Sequence, residues 1–267
     1  MSFQNLYIIT PVGSEIGLIK TIESVFEVSK RIPLISFTHL LIYNNNCHFD
    51  NSIYKESENY KIKVYDLNPV SSRSLARNYG LKKIDNEKNN YVIFLDVDDL
   101  LLPNAIEKIQ KKYFDLNDNK IFWCHSLVRY KNVDIKVIDY PFKLLPLMNV
   151  IYLSSIILPS NIAKLYNFPS CYKEDWIYWY KVFSIKRPIV KINLPNYIYF
   201  FQSIKKQTNK KIKSFSNIIQ TLSILNKKKN IIFNLLLSII YLFLSGLKWI
   251  VTISNLEIKL ILKNLKY

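Results

Sequence analysis

The stretch YVIFLDVDDLLL, residues 91–102, is an apolar run that ends in three carboxylates, Asp96, Asp98 and Asp99. A short apolar run of this kind predicts a β-strand buried on both faces. Because side chains alternate along a strand, Asp96 and Asp98 are expected to face the same way from its carboxyl end. Uncompensated burial of acids is costly, so the stretch predicts either a divalent cation site or a solvated polar loop before a helix beginning at Pro103.

The composition indicates a folded protein. Its 267 residues are 49% hydrophobic and 14% aromatic, which is enough to bury a full core. Only 4 residues are glycine, and neither a Walker motif nor a dinucleotide fingerprint is present, so a glycine-rich phosphate loop is not expected. The 3 cysteines are widely spaced, which predicts neither a zinc site nor a disulfide framework and favours a reducing compartment.

Predicted strands and helices alternate along the first half of the chain. The patterns predict strands at 6–10, 34–43, 62–67 and in the 91–102 stretch, with helices at 16–30, 72–83 and 103–114. Such alternation predicts crossover units and a mostly parallel sheet flanked by helices. Ligands bind such sheets beyond the carboxyl ends of the strands, where Pro11, the asparagines at 44–46 and the acids all fall. Strand-like patterns recur at 121–138 and 150–158.

A second acidic site is predicted in CYKEDWIYWYKVF, residues 171–183, where Glu174 and Asp175 open a helix. Acids at a helix N-terminus are favoured by the helix dipole alone, so their position is also compatible with a purely structural role. The aromatic residues that follow include Trp176 and Trp179. These two side chains either pack in the core or form a platform for a sugar acceptor.

Five segments, in this order, resemble the family 2 glycosyltransferases across roughly residues 6–208. They are YIITPVGSE, SLARNYGL, YVIFLDVDDLLLPNAIEKI, SSIILPS and YKEDWIYWYKV. The resemblance implies a GT-A fold over residues 1–208, a Rossmann-like α/β domain with a mixed, mostly parallel sheet. It also implies an inverting hexosyl- or N-acetylhexosaminyltransferase that moves a sugar from a nucleotide-sugar donor, with a UDP-sugar favoured, to a hydroxyl group of an acceptor.

The resemblance also implies roles for individual residues. Asp98 would be the main ligand of Mn²⁺ or Mg²⁺, and Asp96 would contact the ribose or the water shell of the metal. Arg77 would approach the nucleobase, unless it is a surface cation of its helix or a partner for the nearby acids. Asp175 would be the base that accepts the acceptor's proton, with Glu174 in support. The remaining donor-binding candidates are Thr10, Pro11, Glu15, Asn44, Asn45 and Val97, and the acceptor-side candidates are Trp176 and Trp179.

The chain departs from the family pattern at several positions. Gly13 and Ser14 stand where the family usually has an aromatic residue and asparagine, and the asparagines at 44–46 replace an aspartate-rich turn. Because an amide donates as well as accepts, the nucleotide preference can differ from uridine. No arginine or histidine marks the expected closing loop. Lys205 and Lys206 would instead neutralise the diphosphate as a mobile lid, unless they form an ordinary solvated lysine loop.

The C-terminal residues 209–267 are predicted to form a basic, amphipathic, helical segment that associates with a membrane. After Asp175 the only acidic residue is Glu257, whereas lysines accumulate, and no charge occurs at 231–247. A narrow polar stripe at helical spacing favours a helix lying in an anionic membrane surface over one that spans the bilayer. Packing against the catalytic domain or in a dimer is the alternative.

This segment, with no signal peptide evident at the start of the chain, predicts a location on the cytoplasmic face of the membrane, peripheral or monotopic. That location suits a lipid-linked or other cell-surface glycan acceptor, as in lipopolysaccharide or capsule biosynthesis. Two other functions remain open: a haloacid dehalogenase-like phosphohydrolase with Asp96 as the nucleophile, and a non-catalytic membrane-bound scaffold. Nucleic acid is not an expected partner, because no recognition motif accompanies the lysines.

Overall fold

The computed structural model describes most of the first 200 residues. The described ranges are 5–44, 56–67, 72–85, 89–113, 120–130, 133–137, 145, 149, 151–171, 173–185 and 187–200. The predictions made for Asn45, for Lys205 and Lys206, and for the segment 209–267 lie outside the described residues.

The first half of the fold alternates strands and helices in the predicted order. It comprises β1 (Asn5–Val12), α1 (Leu18–Arg31), β2 (Ser36–Tyr43), β3 (Tyr60–Asp66), α2 (Arg73–Lys82) and β4 (Asn90–Phe94). The second half comprises β5 (Leu100–Leu101), α3 (Pro103–Tyr113), β6 (Ile121–Tyr130), β7 (Val133–Lys136), a 3-10 helix (Leu153–Ser155), β8 (Ile156–Pro159), α4 (Ser160–Ala163), α5 (Glu174–Ser184) and β9 (Ile189–Phe200). The helix start at Pro103 is confirmed, whereas β9 was not predicted as a strand.

The strands form a nine-stranded sheet in the order β3-β2-β1-β4-β8-β6-β9-β5, with β7 paired to β6. Neighbours among β3, β2, β1 and β4 are parallel. The pairs β4–β8, β6–β8, β6–β7 and β5–β9 are antiparallel, whereas β6–β9 is parallel. The prediction of a mostly parallel sheet is therefore correct only for the first half, where α1 returns the chain from β1 to β2 and α2 returns it from β3 to β4.

Both faces of the sheet are covered, which gives three layers. On β1, Leu6 and Ile8 pack with side chains of α1 and α3, whereas Tyr7 and Ile9 pack with side chains of α2 and α5. Alternation along the strand thus sends successive side chains into two different cores. Each large apolar side chain buried in this way contributes roughly 1.5–3 kcal/mol relative to exposure, so the central strands are a main source of the stability of the sheet.

Strand β1 continues through Pro11 to Val12, two residues beyond its predicted end at Thr10. The Ile9 carbonyl accepts from the Leu95 amide, and the Val12 carbonyl accepts from the Asn44 amide on the other side. Because successive residues alternate, Pro11 faces the same side as Ile9, where β4 has already ended at Phe94. The missing N–H of proline therefore costs no ladder hydrogen bond.

The three acids of the opening stretch lie in a turn. Since β4 ends at Phe94, the strand alternation from which a common direction of Asp96 and Asp98 was predicted does not extend to these residues. The Asp99 amide donates to the Asp96 carbonyl at 3.0 Å, which closes the turn. From α1, the Thr21 hydroxyl contacts the Val97 carbonyl and lies 2.8 Å from the Asp99 carbonyl. Helix α1 therefore braces the turn from one side.

Close contact between α1 and this turn depends on Gly17, which precedes the helix. Gly17 has φ 91°, in the left-handed region. A Cβ atom there would lie 3.3 Å from the Asp98 Cα and 3.3 Å from the Val97 carbonyl oxygen. Glycine is therefore favoured here both by its backbone conformation and by the limited space.

A buried series of side-chain hydrogen bonds joins three strands. The Thr10 hydroxyl lies 2.8 Å from His39 Nε2, and His39 Nδ1 lies 3.1 Å from the Tyr60 hydroxyl. All three residues are fully buried. Burial lowers the pKa of His39 to about 3, because the charged imidazole would lose its hydration. The histidine is thus a neutral core residue at physiological pH.

Replacing Gly17 by alanine should destabilise the protein by about 1–2 kcal/mol, because the left-handed conformation penalises a side chain. The contact with Asp98 adds to that cost. Urea unfolding would measure the loss. The control is Gly13→Ala, because Gly13 is exposed and lies outside the left-handed region. Equal stability of the two variants would contradict this account of Gly17.

Replacing His39 by glutamine should make stability less sensitive to acid. The folded-state pKa of about 3 lies below the ordinary value of 6.5, so between these values the unfolded chain binds the additional proton. Wild-type stability should therefore fall as the pH drops below about 6.5, by on the order of 2–3 kcal/mol at about pH 4.5. Urea unfolding at about pH 7.5 and 4.5 would test this, and equal losses in both proteins would refute it.

Candidate active site

The acid-rich turn lies at the carboxyl end of β4, beside the ends of β1 and β2. The side chain of Asp96 is 30% exposed, and Asp98 is also partly exposed. Asp99 is 3% exposed and points into the protein. The turn therefore presents Asp96 and Asp98 toward solvent at the edge of the sheet where ligands bind in α/β folds.

Arg77 connects this turn to the second acidic site. Its Nη2 donates to Asp96 Oδ1 at 2.8 Å, and its Nη1 donates to Glu174 Oε1 at 2.8 Å. Arg77 belongs to α2 and Glu174 is the first residue of α5. The contact brings together the predicted ARN, DVDD and ED segments, which lie far apart in the chain.

The charge of Arg77 is stabilised by its partners. Burial of the guanidinium would by itself lower its pKa, but the charges of Asp96 and Glu174 outweigh that effect and raise the pKa above its ordinary value. Removing either carboxylate would leave part of a buried cation uncompensated, which is costly in a protein interior.

The base candidate Asp175 is held at the start of α5. Lys173, the residue before the helix, has a left-handed backbone with φ 58°. Such strain in a residue other than glycine is tolerated where the surroundings impose it, and it recurs at functional sites. Asp175 Oδ2 accepts a hydrogen bond from Asn149 Nδ2 at 2.6 Å. One carboxylate oxygen of Asp175 therefore has a fixed direction.

The prediction that Trp176 and Trp179 form an acceptor platform is wrong. Both indoles are fully buried in the core on the α5 side of the sheet. The Trp176 ring nitrogen donates to the Leu145 carbonyl at 2.6 Å. Trp179 packs edge-on against Phe94 and Tyr178. Neither ring has a face left for a sugar, because the apolar side of α5 must be buried against the sheet.

Asp99 lies behind the two outward acids. The Ser154 hydroxyl donates to Asp99 Oδ2 at 3.0 Å, whereas Oδ1 is buried with no hydrogen-bond partner among the described residues. Burial raises the pKa of Asp99 well above its ordinary range, and the negative charges of Asp96 and Asp98 raise it further. Burial therefore favours the neutral form of the Asp99 carboxyl and leaves the outward charge of the turn to Asp96 and Asp98.

The two outward carboxylates, those of Asp96 and Asp98, fit a hard divalent cation such as Mn²⁺ or Mg²⁺, which prefers carboxylate oxygens. Within the described ranges, no three His, Cys, Asp or Glu side chains form a group that would hold a metal alone. A cation at Asp98 and Asp96 would therefore take its remaining ligands from substrate phosphates and water, as Mg²⁺ usually does.

The other donor-binding candidates occupy different environments near the same edge of the sheet. Thr10 and Pro11 are buried, and the Thr10 hydroxyl is engaged by His39, so any donor contact of Thr10 would come from its backbone. Asn44 is 5% exposed at the end of β2. Glu15 is exposed and Val97 partly exposed. Their roles toward a donor stay predictions.

Several residues at the site were not predicted from the sequence. Ser154 falls within SSIILPS, so the family resemblance marked its segment without indicating its contact with Asp99. Tyr197 of β9 lies close enough to Asp99 for that carboxyl to raise the pKa of the phenol, although burial is the larger cause. No sequence pattern indicated a role for Asn149, because a single asparagine between apolar residues matches no motif. Its role depends on where the chain brings it.

In the part of the chain that the structure describes, no helix has both the length and the hydropathy needed to cross a bilayer.

Comparisons with known proteins agree with the fold. A profile described as Glycosyl transferase family 2 matches residues 18–192. A search of curated proteins found no match. Among solved structures, S. aureus TarS 1-349 is similar with a TM-score of 0.59 and 13% identity, covering 85% of this chain and 66% of TarS 1-349.

Two further solved structures are similar over most of this chain. The mannosyltransferase PcManGT from Pyrobaculum calidifontis, in complex with GDP-Man and Mn²⁺, has a TM-score of 0.57 and 9% identity, covering 96% of this chain and 80% of its own. Glucosyl-3-phosphoglycerate synthase from Mycobacterium tuberculosis, in complex with Mn²⁺, UDP and phosphoglyceric acid, has a TM-score of 0.53 and 13% identity. The match covers 82% of this chain and 78% of the synthase chain.

At these identities the structural likeness shows the fold, a Rossmann-like GT-A domain with a mixed sheet. The profile match shows the family, because it spans more than half of the chain and includes the ARN, DVDD and ED segments that Arg77 joins. This chain belongs to glycosyl transferase family 2.

Proposed function

We propose that the protein is an inverting glycosyltransferase that moves a hexosyl or N-acetylhexosaminyl group from a nucleotide-sugar donor to an acceptor hydroxyl. The observation that carries the proposal is the shared contact of Arg77 with Asp96 and Glu174, at 2.8 Å each. It supports a single site that holds both the donor-side acids and the candidate base. A transferase needs that arrangement, because the reacting groups must meet within a few ångströms.

Asp98 and Asp96 are the groups we assign to the donor diphosphate, with Mn²⁺ or Mg²⁺ between them and the phosphates. When bound, the cation would neutralise charge on the departing nucleoside diphosphate. The solved relatives that carry Mn²⁺ together with UDP or GDP-Man support this assignment by analogy. A UDP-sugar is the favoured donor, because UDP occupies the TarS 1-349 and glucosyl-3-phosphoglycerate synthase complexes.

Asp175 is the base in this proposal. Asn149 holds its Oδ2, and its Oδ1 receives the acceptor proton. As that proton leaves, the acceptor oxygen bonds to the anomeric carbon, and the bond from this carbon to the diphosphate oxygen breaks. A single displacement of this kind inverts the anomeric configuration and needs no second nucleophile. Glu174 supports the base through the start of α5.

The acceptor we propose is a cell-surface or lipid-linked glycan, as in lipopolysaccharide or capsule biosynthesis. The reason is the basic, amphipathic sequence of residues 209–267, which favours attachment to an anionic membrane surface on its cytoplasmic face. Lys205 and Lys206 remain candidates for a diphosphate lid.

Two alternatives are less well supported. A haloacid dehalogenase-like phosphohydrolase would use Asp96 as a nucleophile, but Asp96 Oδ1 is paired with Arg77, and the family match is to sugar transferases. A non-catalytic scaffold with the same fold would bind no nucleotide sugar in a metal-dependent way. The next two experiments separate these alternatives from the proposal.

A panel of nucleotide sugars, each with and without Mn²⁺, should reveal one donor that raises the melting temperature only in the presence of the metal. Binding at a concentration 100 times the Kd stabilises a protein by about 2.7 kcal/mol, which thermal unfolding readily detects. Asp98→Ala should remove the metal-dependent part. Asp134→Ala, in β7, is the matched control and should keep it. A panel in which no nucleotide sugar stabilises the wild type with Mn²⁺ would favour the scaffold.

Asp175→Asn should bind that donor normally but transfer sugar about 10²–10⁴-fold more slowly, the usual contribution of a general base. The assay is release of the nucleoside diphosphate in the presence of a lipid-linked glycan fraction. Donor affinity, measured by calorimetry, serves as the internal control. Transfer at the wild-type rate would show that Asp175 is not the base.

A further inference from the structure

Two neighbouring residues of α2, Arg77 and Asn78, hold the segment that leads into α5. Arg77 Nη1 donates to Glu174 Oε1 at 2.8 Å. Asn78 Nδ2 donates to the Phe168 carbonyl at 2.9 Å, and the Phe168 amide donates back to Asn78 Oδ1 at 2.8 Å. The Arg77 guanidinium also lies over the Phe168 ring, 5.3 Å from its centre. The side chains of Arg77 and Asn78 therefore hold Phe168 and Glu174, which precede the candidate base Asp175 in the chain.

Arg77 holds the donor side of the site as well. Its Nη2 donates to Asp96 Oδ1 at 2.8 Å. Only 2% of the side chain is exposed, and its Nε has no hydrogen-bond partner among the described residues. A guanidinium so enclosed, with a carboxylate on each terminal nitrogen, offers no face to a nucleobase. The nucleobase contact implied by the family resemblance therefore does not fit the geometry.

We propose instead that Arg77 is a positioning residue that couples the donor-side acids to the base helix. It acts through Asp96 on one side and through Glu174 on the other, and it does not touch the substrate. The proposal rests on the transferase function proposed above. Because Asp175 follows Glu174 directly, a shift of Glu174 moves the first turn of α5 and with it the base.

The planar guanidinium is the group suited to this task. Its two terminal nitrogens donate in fixed directions, so they set the distance between Asp96 and Glu174. A lysine would preserve the charge but concentrate it at one flexible point, and it would pair with one carboxylate at the expense of the other. Arg77→Lys therefore tests the geometry of the contact without removing its charge.

The experiment compares wild type, Arg77→Lys, Glu174→Ala and the double variant. We expect Arg77→Lys to lower kcat by about 10²-fold, the scale of a 1 Å displacement of reacting groups. Affinity for UDP in EDTA should change less than about twofold, since no nucleotide contact is lost. The double variant should be within about threefold of Arg77→Lys, because residues acting through one contact are not additive.

Arg129→Lys is the matched control. Arg129 of β6 pairs with Asp134 of β7 at 2.6 and 2.7 Å, away from the site, and its replacement should leave kcat unchanged. Loss of metal-free UDP affinity by tenfold or more at unchanged kcat would overturn the proposal and restore the nucleobase role. Losses that multiply in the double variant would overturn it too, because they would show independent action.

Glu174→Ala keeps the proposal falsifiable if Arg77→Lys does not fold. That single variant must then lower kcat while UDP affinity in EDTA stays within about twofold, and unchanged kcat would refute the coupling. Failure of the proposed function gives a different result. A wild-type protein that transfers no sugar from any nucleotide sugar contradicts both proposals, whereas an active wild type with an equally active Arg77→Lys contradicts this one alone.

Discussion

The guanidinium of Arg77 is a cation buried between two carboxylates that belong to different parts of the fold. A buried charge is tolerated only when its partners stay in place. The folded chain must therefore hold both Asp96 and Glu174 against Arg77 of α2. The requirement constrains three elements at once: the turn after β4, the middle of α2 and the first residue of α5. The same constraint that stabilises the fold therefore also assembles the site.

Packing around Arg77 allows this contact to form. Helix α2 comes close to β1 because Gly80 has no side chain, and a Cβ there would lie 2.7 Å from Ile9 Cγ2. On the far side, the Phe168 ring stacks on Tyr178 of α5, with ring centres 3.9 Å apart. These apolar contacts fix the position of α2 on β1 and of Phe168 on α5. The ion pairs then select one orientation of α5, because hydrogen bonds depend on direction more than apolar contacts do.

Much of the fold followed from periodicity and punctuation in the sequence. The sequence predicted the parallel half of the sheet and the helix that begins at Pro103. It also predicted the three segments that contain ARN, DVDD and ED. The predictions failed where the outcome depends on contacts between residues that are distant in the sequence. Trp176 and Trp179 were candidates for a platform because sequence alone does not say which face of α5 is covered. Strand β9 was missed because its pairing partners, β6 and β5, are distant in sequence, and no local pattern specifies such pairing.

The sequence by itself determined which residue types reach the carboxyl edge of the sheet. The apolar runs end where the acids begin, and the alternation of strands with helices makes the first strands parallel. Only the tertiary structure decided how those residues divide their roles. It enclosed Arg77 between two carboxylates, buried Asp99 against Ser154 and directed Asn149 onto Asp175. These contacts join residues far apart in the chain, and their geometry depends on how helices and strands pack, which local sequence patterns do not encode.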